Sequence, residues 1–158
     1  MIKKRVAAAA LAASVSLSTA MITLFEGAEH KAYVDPVGVV TICYGHTATA
    51  KLGQVKTEEE CQALLRQDLA IAMAAVDRHT TAQLTIEQRA ALASFVFNVG
   101  ETKYRTSTLL KKLNAGDKQG ACAEMSRWVN GKVNGQWKAL PGLVTRREVE
   151  RELCEVGL

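Results

Sequence analysis

No Cys-x-x-Cys pair occurs in these 158 residues, and histidine appears only at His30, His46 and His79. The spacing of a zinc site is therefore absent. Missing too is any stripe of Arg or Lys interleaved with aromatics, which a nucleic-acid surface would need. The net charge of +4 does not restore one, because Lys3, Lys4 and Arg5 supply three of those charges before the first acidic residue. Without them the balance is 17 basic against 16 acidic residues, close to neutral. No internal repeat is visible, and no low-complexity tract beyond an alanine-rich N-terminus. What remains is one domain's worth of chain, long enough for a real core.

Val6 to Phe25 is twenty residues without a charge, directly after the basic triplet. A helix of that length spans about 30 Å, the thickness of a bilayer core. The basic triplet would stay cytoplasmic and the remainder lie outside. Twelve of the twenty residues are Ala, Ser or Thr, so insertion is marginal. A cleavable signal peptide would use Ser18-Thr19-Ala20 as its small-residue site. A permanent anchor would be richer in Leu and Ile.

The stretch from Phe25 to Thr47, FEGAEHKAYVDPVGVVTICYGHT, concentrates the candidate chemistry. Leu24-Phe25-Glu26 reads as a helix end that stops at Gly27, leaving Glu26 on an apolar surface where burial would favour its protonated form. Asp35 opens Asp-Pro-Val-Gly, a turn signal, and Val39 to Tyr44 reads as a strand. A helix end and a small hairpin would thus present Glu26, Asp35 and Thr41 to a common space. Two carboxyl groups in unlike environments are what acid-assisted glycoside cleavage requires.

The order Glu26, Asp35, Thr41, followed by Tyr44-Gly45-His46-Thr47, resembles the catalytic motif of the phage-type lysozymes (glycoside hydrolase family 24, endolysins). The resemblance continues through Phe97-Asn98-Val99-Gly100, Ser107 to Asn114, and Gly142 to Glu148. It covers nearly the whole chain after Thr23 and is nearest to the lambdoid-phage branch. Two positions depart: Val40 stands where the family often has an aromatic, and Cys43 where many members have glycine.

The rest of the chain is mostly helical. Thr57 and Glu60 form a capping box ahead of a long amphipathic helix that runs through Arg78. Thr85 and Gln88 form another, before a helix apolar on most sides that Gly100 ends with a left-handed cap. Asn98 reads equally as a cleft residue and as a satisfied structural amide. Ser107 and Asp117 cap two shorter helices, the second through Trp128. Trp128 and Trp137 could stack on sugars, although core packing is the commoner role of such residues. Asn130-Gly131 and Asn134-Gly135 flank an exposed, turn-rich loop. The last helix, Leu143 to Val156, carries Arg146, Arg147, Glu148, Glu150, Arg151 and Glu152, which predicts a solvated outer face with i,i+4 pairs.

What the resemblance implies is an α+β, mostly α, lysozyme-like fold with a small β-hairpin lobe, a linking helix and a helical lobe. The enzyme would hydrolyse the β-1,4 bond between N-acetylmuramic acid and N-acetylglucosamine in peptidoglycan, with inversion and with no metal or cofactor. Glu26 would be the general acid, Asp35 an ionised partner that positions water or stabilises the transition state, and Thr41 a residue that orients the water. A lytic transglycosylase using Glu26 alone is the nearest alternative; a Cys43–His46 cysteine amidase and a non-enzymatic wall-binding protein are remoter ones. Four cysteines allow three pairings, and export favours disulfides over reduced core thiols. The lambdoid resemblance implies Cys43–Cys61 and Cys122–Cys154. It also supplies a third reading of the N-terminus, favoured here: a signal-arrest-release segment over residues 1–25 ahead of a catalytic domain over 24–158. The partners then expected are peptidoglycan, the inner membrane on its periplasmic side before release into the periplasm, and functionally a holin. The enzyme would be a monomer that binds no nucleic acid.

Overall fold

The computed structural model describes residues 2–35 and 38–158, with side chains from Lys4 onward. Pro36 and Val37, the middle of the expected Asp35–Gly38 turn, lie outside the described residues. The elements follow in the order α1 (Ile2–Phe25), β1 (Glu29–Val34), β2 (Val40–Cys43), α2 (Glu58–His79), α3 (Ile86–Val99), α4 (Glu101–Thr106), α5 (Thr108–Asn114), α6 (Lys118–Glu124), a 3-10 turn (Met125–Arg127), β3 (Asn130–Val133), β4 (Gln136–Ala139) and α7 (Pro141–Glu155). This is the lysozyme-like α+β arrangement: a β1–β2 hairpin lobe, α2 as the link, and a helical lobe.

The helix starts are set locally. Thr57 accepts from the Glu60 amide while the Glu60 side chain answers the Thr57 amide, and Thr85 and Gln88 do the same for α3. Each reciprocal cap satisfies donors that a helix start otherwise leaves open. Ser107 and Asp117 cap α5 and α6. Gly100 does end α3, but at positive φ (86°) with ψ 156° it lies outside the compact left-handed helical cap. That region of positive φ is essentially restricted to glycine, and it lets α4 begin immediately after the bend.

Two apolar clusters organise the chain. The larger, within the helical lobe, is built around Phe95, Tyr104, Leu109, Leu113 and Met125. The smaller joins the hairpin lobe to α2 through Ile42, Cys43, Tyr44, Cys61, Leu65 and Leu69. Phe97 packs against both. α1 contributes Ile22 to the smaller cluster and lies along α3, where Ser14 and Ser18 are fully buried. Small hydroxyl side chains permit that close approach, and the Ser18 hydroxyl lies 3.3 Å from the Ala90 carbonyl of α3.

Disulfides link Cys43 to Cys61 and Cys122 to Cys154. The first ties the end of β2 to α2. The second ties α6 to α7.

The C-terminal part of the chain departs from expectation in places. The loop after Trp128 forms a second antiparallel hairpin, with Lys132 opposite Trp137. Of the two tryptophans, Trp128 takes the commoner role, partly buried against the helical-lobe core with its ring meeting Phe95 edge-on at 5.4 Å, whereas Trp137 is exposed. Finally, α7 is not solvated all round, because Arg146, Arg147 and Glu150 are buried.

Candidate active site

Glu26 follows the last residue of α1, and its amide still donates to the Ile22 carbonyl at 2.8 Å, so the helix fixes the carboxylate's position. The hairpin supplies the opposite wall. Tyr33 pairs with Thr41, and Val34 with Val40, which places Asp35 just beyond the paired region. Asp35 is oriented by its own turn: its Oδ1 accepts from the Val39 amide at 2.8 Å. Its amide donates to the Val39 carbonyl at 2.9 Å, and its carbonyl accepts from Gly38 at 3.0 Å. The Thr41 hydroxyl, buried, donates to the Val39 carbonyl at 3.2 Å, which leaves its lone pairs available to accept.

The Tyr44-Gly45-His46-Thr47 segment holds this wall in place. Ile42 and His46 exchange two backbone hydrogen bonds at 2.9 Å, closing a tight loop over Cys43, Tyr44 and Gly45. The loop needs positive φ at both ends, 59° at Cys43 and 82° at Gly45. Cys43 thus occupies the left-handed backbone that favours glycine. At Gly45 a Cβ would lie 3.7 Å from Glu26 Oε2, so this backbone passes directly by the carboxylate. Tyr44 donates to Glu58 at 2.6 Å, and this bond to a carboxylate raises the tyrosine pKa. His46 is buried between Asp68, 2.7 Å from Nδ1, and Thr49, whose amide donates to Nε2. Nε2 therefore accepts and Nδ1–H donates to Asp68. With Cys43 in a disulfide and both imidazole nitrogens engaged, these two residues do not form a thiol–imidazole pair.

Glu26, Asp35 and Thr41 line one open cleft of about 260 Å³, together with Tyr33, Gly45, Thr47, Phe97 and Asn98. Gly45, Thr47 and Phe97 also line an adjoining cavity of about 210 Å³ that runs along α2 past Ile71 and Ala75 to Gly100. Together they form a groove between the lobes suited to an extended polymer.

The surroundings of Glu26 differ from the apolar walls expected. Arg146 Nη1 donates to Glu26 Oε1 at 2.5 Å, and the same guanidinium lies over the Phe25 ring, 5.2 Å from its centroid. Arg146 is itself buried, and its Nε donates to Glu150 at 3.0 Å. Glu150, with no exposed surface, also accepts from Ser94 at 2.7 Å and from Arg147. Arg147 in turn donates to Asn98 and, at 3.1 Å, to the Trp128 carbonyl. Burial lowers the Arg147 pKa below the ordinary arginine value, with Glu150 opposing. Two carboxylates and two guanidiniums thus form one connected, largely buried chain beneath the cleft. Asn98 is both a cleft residue and a partner in that chain. The sequence carried a usable signal for it: Arg146, Glu150 and Cys154 recur every four residues on one helix face, and a disulfide cysteine marks that face as inward. Tyr33, also missed, stands opposite Thr41; burial first, then the Glu26, Glu29 and Asp35 carboxylates, raises its pKa. It remains a protonated donor at neutral pH.

This architecture is shared. The sequence profile of the Phage lysozyme family matches residues 23–150. A SAR-endolysin of Bacteriophage PS119 is 42% identical over 165 residues, covering 99% of this chain and 95% of that one. The endolysin of Escherichia coli O157:H7 phage FAHEc1 superposes with a TM-score of 0.81 at 32% identity, covering 90% of this chain and 92% of its own. The active form of the P1 phage endolysin Lyz gives a TM-score of 0.78 at 27% identity, covering 89% of this chain and 84% of its own. Its secreted inactive form gives 0.53 at 25% identity, with 70% and 76% covered. A family profile over most of the chain, a relative matched end to end and the interlobe cleft together place this protein in the phage lysozyme family, as a cell-wall-lytic glycoside hydrolase of the muramidase kind.

Proposed function

We propose that the chain is an endolysin that hydrolyses the β-1,4 bond between N-acetylmuramic acid and N-acetylglucosamine, with inversion. The observation that carries this reading is the convergence of Glu26, Asp35 and Thr41 on one open cleft. Glu26 is the general acid. Arg146 donates to Oε1, so that oxygen is occupied as an acceptor and the transferable proton belongs on Oε2, the oxygen beside Gly45. Arg146 also stabilises the carboxylate that remains once the proton has passed to the leaving glycosidic oxygen. Asp35, fixed by the Val39 amide, accepts a proton from the attacking water. Thr41, its own proton committed to a carbonyl, accepts the water's other hydrogen. Tyr33 is a standing donor on the same wall.

The N-terminal segment, residues 1–25, is a signal-arrest-release element: it first anchors the chain at the host inner membrane, then frees a monomeric enzyme to the periplasm when a holin collapses the membrane potential. Two observations support this. Lys4–Phe25 is long and apolar enough to cross a bilayer. Yet the same helix packs on α3 and presents Glu26 at its end, in a conformation nearer the active than the secreted inactive P1 endolysin. While α1 lies in a bilayer, Glu26 is held at the interface, away from Asp35 and Thr41. Domain 24–158 then completes its fold with α1 after release.

The test is product analysis on purified peptidoglycan for the parent and Glu26→Gln. New reducing ends, with the inverted anomer formed first, are expected from the parent. General acid catalysis is worth roughly 10²–10⁴-fold, so Glu26→Gln should lose that much turnover. Products ending in 1,6-anhydro sugars, or a Glu26→Gln enzyme within tenfold of the parent, would overturn the assignment.

A further inference from the structure

The β3–β4 hairpin leaves Trp137 68% exposed, although a ring of that size is normally covered. A lone two-stranded hairpin is marginal in water, and three features hold this one. Asn134 and Gly135 adopt φ of 51° and 80°, suiting the tight turn whose twist matches paired strands. The Leu140 amide closes the base by donating to the Val129 carbonyl at 2.9 Å. Gly131 permits the close packing of Leu140, where a Cβ would come within 2.5 Å of Leu140 Cδ1.

The base of the hairpin is joined to the cleft. Buried Arg147 donates both to the Trp128 carbonyl, two residues before β3, and to cleft-lining Asn98. Lys132 is the direct cross-strand partner of Trp137, so the ammonium and the indole share one face. Lys138, opposite Gly131, belongs to the other face. Between Val129 and Leu140 no acidic residue occurs, so the local charge is purely positive.

We infer that Trp137 and Lys132 form an accessory binding site for the peptidoglycan strand, beyond the catalytic cleft. The indole stacks on the apolar face of an N-acetylated sugar, and Lys132 pairs with a carboxylate of the peptide stem. A neutral glycan carrying anionic stems matches an aromatic plate beside a single cation, and attachment of the hairpin to the Asn98 end of the cleft favours the strand over a lipid surface. The inference rests on peptidoglycan as substrate.

Pelleting with purified, insoluble sacculi tests it, in a Glu26→Gln background so that nothing is cleaved. Trp137→Ala and Lys132→Glu should each weaken retention about tenfold, equivalent to roughly 1.4 kcal/mol. Trp137→Phe should recover most of the loss, and Lys138→Glu should do less than Lys132→Glu. On insoluble chitin, an uncharged polymer of N-acetylated sugar without stems, the Lys132→Glu effect should vanish while the Trp137→Ala effect persists. In the active enzyme, Trp137→Ala should raise KM more than it lowers kcat. Unchanged retention by Trp137→Ala, or a loss seen only on phosphatidylglycerol vesicles, would refute the site. A parent that releases no reducing ends would sink the substrate reading and this site with it; a lytic parent with normal Trp137→Ala binding sinks this site alone.

Discussion

Glu150→Gln removes one charge and almost no volume, yet the structure makes it a severe substitution. Glu150 has no exposed surface and receives Arg146 Nε at 3.0 Å, Ser94 at 2.7 Å and Arg147. The side chains of Arg146 and Arg147 are 4% and 1% exposed, so neither guanidinium can turn to water. Without Glu150 the two buried guanidiniums are left with only the partly exposed Glu26 carboxyl group. Removing one partner of a buried pair costs about 3–5 kcal/mol. For a chain of this length each kcal/mol shifts Tm by about 2–4 °C, so the melt should fall by roughly 6–20 °C. An exposed i,i+4 pair on a solvated helix would be worth only about 0.3–0.5 kcal/mol, a shift of about 2 °C or less. Thermal unfolding at pH 7, followed by circular dichroism and calorimetry, separates the two. A shift under about 2 °C would refute the buried network and return α7 to the solvated face that its composition suggests.

Further outcomes follow from the same packing. Ser16 is exposed on α1 while Ser18 is buried against α3. Ser16→Leu should therefore increase membrane retention and delay lysis without altering the released enzyme's Tm. Ser18→Leu should do both, since overpacking costs about 1–3 kcal/mol; an unchanged Tm would remove α1 from the folded core. Replacing Cys43 and Cys61 together by serine should cost roughly 2–4 kcal/mol, and peptide mapping of active protein should recover Cys43 linked to Cys61, not free. Burial pushes the Tyr104 pKa up to about 12, with its hydroxyl 2.7 Å from Thr80. The folded state then holds a proton that the unfolded chain gives up near pH 10. Stability should be complete below pH 10 and fall as pH rises toward 12; in Tyr104→Phe that alkaline loss should flatten, and an identical pH profile would count against the shift.

Much of the molecule was written locally in the sequence. Helix starts at Thr57 and Thr85 were legible because a capping box satisfies its donors within four residues. The stripe through Cys61, Leu65, Leu69 and Val76 fixed α2, because a helix buries one face whatever lies opposite. The candidates Glu26, Asp35 and Thr41 were readable because a helix end and a short hairpin hold them within one contiguous stretch. What the sequence left open depended on partners distant in the chain. Arg146 reads as a surface residue until α7 brings it across to Glu26, 120 positions away, and only that placement turns a charged helix face into the support of the candidate site. Trp137 and Trp128 have equal composition-based claims to the core. Tertiary packing gave Phe95 to Trp128 and left Trp137 mostly exposed on its hairpin. Propensity and capping act over a turn or two; burial and charge pairing are decided by whatever the completed fold places alongside.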